Sequence, residues 1–453
     1  MPVEKCAVFG IRSDRDVFTR IYCGLYSLQH RGQESAGVAV FDGDIQVHKG
    51  MGLVSDVLRE EFIGGKVGIG HVRYSTAGMS ELDNAQPMLI NYGGGSFAIA
   101  HNGHLINTDE LREKLKKKGA VFSTDTDTEI IAYLIAHEHM KTNNFIEGIG
   151  SAMKSLRGSY SLTILKEDMI IAIRDPNGFR PLIYGERNGS YVVASESCAL
   201  DSIGFKIVRD IKPAEILVIA DKVESYRESR EKTSACMFEY VYFARADSVI
   251  DGVSVYDVRK RLGENLYKEA PIDADLVTAV PDSGITAAIG YARASGIPYG
   301  ESLMKNRYLG RTFIMPNQKE REKGVKIKLN PIRSEVCGKR IILIDDSIVR
   351  GTTIKGIITS LRNAGAKEVH VRISCPPLRN PCFYGIDMQT QEEFIAQQKE
   401  VKEIEREIGA DSLAYNSMEG LIDAIGLSQD RLCLACLNGD YPLKEEQKKL
   451  VVI

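Results

Sequence analysis

The chain has 453 residues, enough for two or three domains, so a small disulfide-stabilised scaffold is excluded. Hydrophobic residues make up 43% and charged residues 26%, which is typical of globular proteins and excludes wholesale disorder. Lys and Arg total 58 against 61 Asp and Glu, a net charge of -3, so we expect no nucleic-acid partner.

The first residues, MPVEKCAVFG, have neither the basic flank nor the long apolar core of a signal peptide. The longest stretch without a charged residue, 84–108, contains Pro87 and several Gly and Asn, which argues against a membrane span. We therefore expect a cytoplasmic protein with no membrane partner. Nine cysteines in such a chain indicate nucleophiles or metal ligands before disulfides.

Residues 1 to about 230 alternate short apolar runs such as VAVFDG and SLTILK with Gly, Asn and Asp turns, a pattern typical of strands. Helical periodicity interrupts the strands at 18–30 and at 126–137. Thr126 and Glu129 have the spacing of a capping box at the start of the second helix. The pattern predicts an α+β sandwich of sheets and helices.

A cysteine near the start of the chain, Cys6, is followed in order by LQHRGQESAG, GHVRYST, IAHNGHL and STDTDTE. A thiol can be activated by the α-amino group of its own residue, which here requires removal of residues 1–5. Without the other motifs, Cys6 would be interpreted as an inert buried thiol. Together with the four other motifs it indicates a nucleophile.

These motifs resemble the N-terminal-nucleophile glutamine amidotransferases. The resemblance implies an αββα sandwich over residues 6–230, in which Cys6 attacks the glutamine carboxamide. It also implies that Arg73 and Asp127 hold the glutamine carboxylate and α-amino group, and that Asn102 and Gly103 form the oxyanion hole. A guanidinium suits a carboxylate, and an amide with a glycine N–H can stabilise a developing oxyanion.

From about Asp275 the rhythm changes to strand, loop, helix and strand, which predicts βαβ units with a parallel sheet. The polar, highly charged stretch DKVESYRESREKTS at 221–234 indicates the boundary between two domains, 6–230 and 231–453. A further charged segment, 392–407, is predicted to form a solvated helix.

The run RIILIDDSIVRGTT at 340–353 is the most informative in the second domain. Asp345 and Asp346 stand where a buried strand ends, and paired carboxylates there suit ribose hydroxyls or Mg²⁺. The residues after them offer hydroxyls and N–H groups at a helix start, which is typical of an anion site. They are Ser347, Arg350, Gly351, Thr352 and Thr353.

This run resembles the signature of type I phosphoribosyltransferases, which bind 5-phosphoribosyl 1-diphosphate (PRPP). The resemblance implies that Asp345 and Asp346 hold the ribose and Mg²⁺, with Ser283 of the PDSG loop as a further Mg²⁺ ligand, and that the following loop binds the 5-phosphate. The basic stretch 305–328 resembles the loop that folds over PRPP. In it, Lys326 and Lys328 are expected to contact the diphosphate.

Cys433 and Cys436 form a C-x-x-C pair, and Cys236 and Cys382 complete a set of four thiols. Four cysteines suit zinc or an iron–sulfur cluster, and their spacing does not separate the two. Cys337 and Cys375 are alternative ligands. The surrounding stretches resemble the iron–sulfur branch of the glutamine PRPP amidotransferases, which implies a [4Fe–4S] cluster.

The combined resemblance implies hydrolysis of glutamine at Cys6 and transfer of the ammonia to PRPP. The products would be 5-phosphoribosylamine, glutamate and diphosphate, in the first committed step of purine synthesis. Purine nucleotides as feedback inhibitors and a homotetramer are further implications. Two alternatives remain: a glucosamine-phosphate-forming or asparagine-forming amidotransferase, which the Asp345/Asp346 loop disfavours, and a PRPP-sensing regulator, which would not need Cys6, Arg73 and Asp127.

Overall fold

Strands make up most of the first half of the chain in the computed structural model, which describes residues 6–59, 64–74, 81–227, 233–306, 329–388 and 390–443. The strands of this half are β1 (Ala7–Arg12), β2 (Ser35–Phe41), β3 (Ile45–Met51), β4 (Val67–Arg73), β5 (Met88–Tyr92), β6 (Gly95–Leu105), β7 (Gly158–Lys166), β8 (Met169–Arg174), β9 (Ile183–Arg187), β10 (Ser190–Ala194), β11 (Lys206–Asp210), β12 (Glu215–Ile219) and β13 (Val223–Arg227). The helices are α1 (Phe18–Ser27), α2 (Val54–Val57), α3 (Thr108–Lys116), α4 (Asp127–Thr142), α5 (Phe145–Met153) and α6 (Ser197–Ser202).

Two antiparallel sheets face each other in this half. The first has seven strands in the order β11-β9-β10-β1-β4-β2-β3, and the second has six in the order β13-β12-β8-β7-β6-β5. Strand β1 shows how the sequence builds the layers, because alternate side chains of a strand point to opposite faces. Ala7, Phe9 and Ile11 pack in the core under α1 and α6, whereas Val8 packs between the sheets.

The outer face of the second sheet is covered by α3, α4 and α5, so the half is an αββα sandwich and the predicted fold is confirmed. Helix α1 ends at Ser27, three residues before the predicted end. The predicted capping box at the start of α4 is wrong. Both carboxylate oxygens of Glu129 instead accept hydrogen bonds from the main chain and side chains of Ser123 and Thr124.

The second half contains a smaller parallel sheet, as predicted. The strands of the second half are β14 (Ala235–Cys236), β15 (Val249–Ile250), β16 (Val253–Ser254), β17 (Leu276–Ala279), β18 (Leu303–Lys305), β19 (Leu329–Pro331), β20 (Arg340–Asp345), β21 (Glu368–Ile373), β22 (Ser412–Tyr415) and β23 (Leu432–Cys433). Its helices are α7 (Val255–Glu269), α8 (Ile285–Ser295), α9 (Arg333–Val336), α10 (Thr352–Asn363), α11 (Ile395–Gln398), α12 (Val401–Ile408), α13 (Met418–Ile425) and α14 (Ala435–Asn438). The parallel sheet has the order β17-β20-β21-β22.

The charged segment 392–407 differs from the single solvated helix predicted for it. It forms a short 3-10 turn followed by α11 and α12. Ile404 and Ile408 on α12 are buried, so one face of this helix belongs to the core and only the other is solvated. In the described part of the chain, no helix is long and apolar enough to cross a membrane.

A buried network of charges joins the two halves. The guanidinium of Arg31, between α1 and β2, makes ion pairs with Glu196 and with Glu239 of a π-helical turn at Glu239–Phe243. Arg180 pairs with the same Glu239 at 3.0 Å. Because a buried charge is tolerated only when it is paired, these contacts fix the second half against the first.

Candidate active sites

The candidate nucleophile, Cys6, lies immediately before β1 and is 8% exposed. Its Sγ donates a hydrogen bond to the carbonyl oxygen of Tyr74 at 3.4 Å. Strand β1 pairs with β4 so that Ala7 lies opposite Val72. Cys6 and Arg73 therefore lie next to each other at the same end of two neighbouring strands.

Arg73 is 2% exposed, and a glycine allows another segment to approach it closely. A Cβ at Gly32 would lie 2.6 Å from the main-chain nitrogen of Arg73, which is too close for a non-glycine residue. Gly32, in the HRG part of the motif LQHRGQESAG, therefore allows its loop to pack against the end of β4. Gln29 holds this loop through a hydrogen bond to the carbonyl oxygen of Gly32.

The HNG motif lies on β6 of the other sheet, where Asn102 is fully buried. The Nδ2 of Asn102 donates to Ser195 Oγ at 3.4 Å, and the same hydroxyl accepts the Val8 N–H at 2.9 Å. The Ser195 hydroxyl therefore links Asn102 to strand β1, which follows Cys6. At Gly103, a Cβ would lie 2.1 Å from the carbonyl oxygen of Ser159, so only glycine fits there.

Asp127 is the first residue of α4, and its carboxylate is buried. Oδ2 accepts the Leu105 N–H at 3.1 Å, and Oδ1 lies 3.4 Å from His101 Nδ1. Burial by itself raises the pKa of Asp127. His101, His104 and the Leu105 N–H lower it by more than burial raises it, so the pKa lies well below its usual range. The carboxylate therefore carries a negative charge at neutral pH.

The acidic pair of the second half stands at the end of β20, where Asp345 and Asp346 are 3% and 1% exposed. Ser283, from the loop after β17, donates from Oγ to Asp346 Oδ1 at 2.5 Å, and Ser347 Oγ donates to Oδ2 at 2.5 Å. The carboxyl ends of β17 and β20 thus bring the two polar loops together. Burial and the neighbouring charge of Asp346 raise the pKa of Asp345 well above its usual value.

The loop after the acidic pair leads into α10. Gly351 precedes this helix with φ of 77°, a left-handed conformation that favours glycine. Thr352 and Thr353 form its first turn, where main-chain N–H groups have no partner within the helix. The side chain of Arg350 is partly exposed and makes an ion pair with Glu393. Lys326 and Lys328, with the rest of 307–328, lie outside the described residues.

Four cysteines of the second half line one small cavity, together with aromatic residues that include Phe179 of the first half and Tyr384 of the second. They are Cys236, Cys382, Cys433 and Cys436. The short parallel pair of β14 and β23 places Cys236 beside Cys433. Burial raises the pKa of Cys236 to about 11 and the pKa values of Cys433 and Cys436 well above the usual range.

All nine cysteines are free. Cys337 is exposed and Cys375 is buried, and neither lines the cavity of the four cysteines. Within the described ranges, no group of three or more His, Cys, Asp or Glu side chains is arranged to hold a metal ion. The four thiols are neighbours in one cavity without forming a closed site for a single ion.

Comparison with known proteins finds one domain family in each half of the chain. Residues 71–202 match a glutamine amidotransferase domain and residues 247–407 match a phosphoribosyl transferase domain. The chain is 53% identical over 449 residues to an amidophosphoribosyltransferase of Methanothermobacter thermautotrophicus, covering 97% of this chain and 94% of that protein. It is 48% identical over 450 residues to the amidophosphoribosyltransferase of Bacillus subtilis, covering 97% and 94%.

The chain belongs to the amidophosphoribosyltransferase family.

Solved structures agree along 96% of the chain. The B. subtilis glutamine PRPP amidotransferase complexed with ADP and GMP has a TM-score of 0.90 at 47% identity, covering 96% of this chain and 97% of that one. A structure described as the allosteric regulatory enzyme of purine biosynthesis has a TM-score of 0.91 at 48% identity and covers 96% of each chain. As an amidophosphoribosyltransferase, the protein is a glycosyltransferase enzyme of purine biosynthesis, with an amidotransferase domain followed by a type I phosphoribosyltransferase domain. The alternatives of a different amidotransferase and of a non-enzymatic regulator are therefore excluded.

Two histidines of the glutamine half with no predicted role also lie beside the predicted site residues. His71 and His101 stand inside the motifs GHVRYST and IAHNGHL, in which the sequence predicts roles only for Arg73, Asn102 and Gly103. His71 is fully buried, and burial lowers its pKa to about 3. Their position next to the assigned residues was the available signal, but histidines in such places are common in cores.

Proposed function

We propose that the chain hydrolyses glutamine at Cys6 and transfers the released ammonia to PRPP, forming 5-phosphoribosylamine, glutamate and diphosphate. This is the first committed step of purine synthesis. The observation that carries the proposal is that one chain holds both constellations. Cys6 lies beside Arg73 in the first half, and Asp346 is held between Ser283 and Ser347 in the second.

In the glutamine half, the Cys6 thiolate attacks the carboxamide carbon and ammonia leaves, so that a thioester forms and water then hydrolyses it to glutamate. The buried guanidinium of Arg73 binds the α-carboxylate, and the ionised Asp127 binds the α-ammonium. Asn102 Nδ2 and the Gly103 N–H stabilise the oxyanion of the tetrahedral intermediate. The proximity of Cys6 and Arg73 supports this assignment.

The base for Cys6 is proposed to be its own α-amino group, which accepts the thiol proton and later protonates the leaving ammonia. This requires removal of residues 1–5, which lie outside the described residues. N-terminal sequencing of the active protein tests the step. A fully active chain that still begins at Met1 or Pro2 contradicts the free-amine mechanism.

In the PRPP half, Asp345 and Asp346 are proposed to bind the ribose, and the 5-phosphate binds the loop formed by Ser347, Arg350, Gly351, Thr352 and Thr353. Magnesium fits beside the acidic pair and Ser283, because two adjacent buried carboxylates repel each other and a divalent cation offsets that repulsion. When bound, Mg²⁺ supplies charge stabilisation to the departing diphosphate. Lys326 and Lys328 are proposed to contact that diphosphate.

We propose that ammonia passes internally between the halves. The main-chain oxygen of Tyr74 accepts the hydrogen bond of Cys6, and the π-helical turn Glu239–Phe243 packs against the first half through the ion pair of Glu239 with Arg31. Burial raises the pKa of Tyr242 in this turn, and the charges of Asp346 and Asp345 raise it further, so Tyr242 is a candidate to line the route near the acidic pair.

The four cysteines are proposed to bind a [4Fe–4S] cluster. Four thiols that line one cavity are the ligand set of a [4Fe–4S] cluster. As thiolates they would repel one another, and the iron ions of a cluster would offset that repulsion. When bound, such a cluster supplies structural cross-links and redox sensitivity. Iron and acid-labile sulfide analysis with the visible spectrum tests the proposal, and stoichiometric zinc would contradict it.

Several further properties are proposed from the family. The domain boundary is proposed at 230/231, a position outside the described residues between β13 and β14. Purine nucleotides are proposed as feedback inhibitors because the B. subtilis relative was solved with ADP and GMP. We propose a homotetramer in the cytoplasm, where nine free cysteines stay reduced.

The decisive experiment combines purified protein with glutamine, PRPP and Mg²⁺. We expect glutamate production that depends on PRPP, together with release of diphosphate in equal amount. Omission of PRPP is the matched control, since it leaves only basal glutamine hydrolysis. Glutamate without diphosphate would contradict the transfer step, and the absence of both from processed, cluster-loaded protein would refute the proposed function.

A further inference from the structure

Arg180 lies beside the cavity of the four cysteines, next to Phe179 and in contact with Tyr384, which both line it. It follows Phe179, whose ring lines the cavity and whose carbonyl oxygen accepts the Cys236 N–H at 3.2 Å. The side chain of Arg180 is 1% exposed. A cation this deeply buried is stable only when its N–H groups and its charge are matched by neighbours.

Two of the three nitrogens of the Arg180 guanidinium have partners. Nη1 donates to Glu239 Oε1 at 3.0 Å, and Nη2 donates to the carbonyl oxygen of Tyr384 at 2.9 Å. The Nε of Arg180 is buried and has no hydrogen-bond partner among the described residues. Buried donors are nearly always satisfied, so an acceptor for this N–H is missing.

The segments that carry two of the cysteines contact the segment of Arg180. The Cys236 N–H donates to the carbonyl oxygen of Phe179, and Arg180 Nη2 donates to the carbonyl oxygen of Tyr384, two residues after Cys382. Cysteine sulfurs of the cavity are therefore available as the acceptor that Arg180 Nε lacks.

We propose that Arg180 is a positioning residue for the four-cysteine centre, with its Nε–H donating to a sulfur of the centre and its charge setting the reduction potential. This inference rests on the proposed [4Fe–4S] cluster. Hydrogen bonds to the sulfurs and the local charge are two of the factors that set the potential of such a cluster. Arg180 supplies both from one side chain.

Glu239 holds this arginine in place and carries the opposite charge. It accepts hydrogen bonds from Arg180 and from Arg31, so it fixes the position of the Arg180 guanidinium. Removing the positive charge of Arg180 must destabilise the reduced cluster, whereas removing the negative charge of Glu239 must stabilise it. The two residues therefore have opposite predicted effects on one measured quantity.

The test compares wild type, Arg180→Gln, Arg180→Lys and Glu239→Gln, each with its cluster loaded. We expect the midpoint potential of Arg180→Gln to shift to more negative values and that of Glu239→Gln to shift to more positive values. Arg180→Lys keeps the charge and loses the Nε donor, so its shift is negative but smaller. The rate at which air bleaches the visible absorbance should rise in Arg180→Gln and fall in Glu239→Gln.

Arg372→Lys is the matched control, because Arg372 of β21 is also buried, at 3% exposure, and donates to Ala270, Val371 and Ser412, none of which lines the cavity. Its potential should equal that of wild type. General loosening of the fold would move both charge variants in the same direction and would overturn the inference, as would unchanged potentials. If Arg180→Gln does not fold, the sign of Glu239→Gln and the shift of Arg180→Lys still decide it.

The two proposals can fail separately. A wild-type protein without iron and sulfide after reconstitution refutes the proposed cluster and the inference with it. A wild-type protein with a full cluster, combined with variants whose potentials do not change, leaves the cluster in place and refutes the role of Arg180 alone.

Discussion

The ring of His71 donates a hydrogen bond from Nε2 to the main-chain oxygen of His101 at 3.0 Å. His71 lies on β4 of one sheet and His101 on β6 of the other, so the bond crosses the sandwich. Two residues after His71 comes Arg73, and directly after His101 come Asn102 and Gly103. The bond therefore sets the distance between the proposed carboxylate-binding residue and the proposed oxyanion hole.

Replacing His71 tests this link. In His71→Leu the donor is lost, and we expect kcat/KM for glutamine to fall about 10-fold to 100-fold, since misplacement by about 1 Å has effects of that size. His71→Gln can still present an N–H near the Nε2 position and should recover much of the loss. Ammonia-dependent activity with PRPP is the internal control and should not change. Equal losses with Leu and Gln would contradict the positioning role.

Cys6→Ala separates the two half-reactions. Without the thiol no thioester can form, so glutamine-dependent activity should fall to background. Turnover with ammonium chloride as the nitrogen source should continue, because the acidic pair at Asp345 and Asp346 is untouched. Diphosphate release is measured with each nitrogen source. Loss of activity with both sources would mean that the assignment of separate roles to the two halves is wrong.

Asp127→Asn addresses glutamine binding and its pH dependence. The charge on Asp127 is proposed to bind the α-ammonium, so the variant should raise KM for glutamine by about 10-fold or more, in line with loss of a charge-assisted hydrogen bond. Because its pKa lies well below its usual range, Asp127 stays ionised between about pH 5 and about pH 8. We therefore expect no change in the wild-type KM from protonation of Asp127 in this range.

Assays across that range check the pH prediction. A wild-type KM that rises steeply as the pH falls toward 5, with no such rise in Asp127→Asn, would show that Asp127 titrates there and would contradict it. Asp125→Asn is a suitable control, because Asp125 stands in the same STDTDTE motif but its carboxylate accepts a hydrogen bond from the side chain of Asn84.

The layers and the order of the motifs could be predicted from the sequence, because strand alternation and short polar loops are local signals. Thus the runs around β1 and β20 and the acidic pair at Asp345 were recognisable as local patterns. The side-chain contacts were less accessible. The capping box predicted for Thr126 and Glu129 is wrong because both glutamate oxygens accept hydrogen bonds from Ser123 and Thr124 instead.

Contacts between distant parts of the chain could not be predicted at all. His71 and His101 meet across two sheets, and Arg31 meets Glu239 across the two halves. Such pairs are fixed by tertiary packing, which carries no signal at either position taken alone. The same holds for Arg180, whose place beside the cysteines depends on three separate segments.

We expect replacement of Asp345 in the acidic pair to have opposite effects on stability and on function. The folded protein raises the pKa of Asp345 above its unfolded value, so between those two values the folded state binds more protons than the unfolded state. The free energy of unfolding therefore falls as the pH rises through that window. Asp345→Asn removes the repulsion with Asp346, and at pH 7 we expect its thermal midpoint without ligand to be higher by a few degrees.

The same variant should lose binding of PRPP and Mg²⁺, since an amide is a poor ligand for the cation and the ribose contact changes. Thermal unfolding without ligand and with Mg²⁺ and PRPP measures both effects in one experiment. Wild type should gain stability from the ligands, whereas Asp345→Asn should not. Asp273→Asn is the control, because Asp273 is exposed and pairs with Arg340 far along the strand from the acidic pair. A less stable Asp345→Asn would show that the two carboxylates do not repel each other in the folded protein.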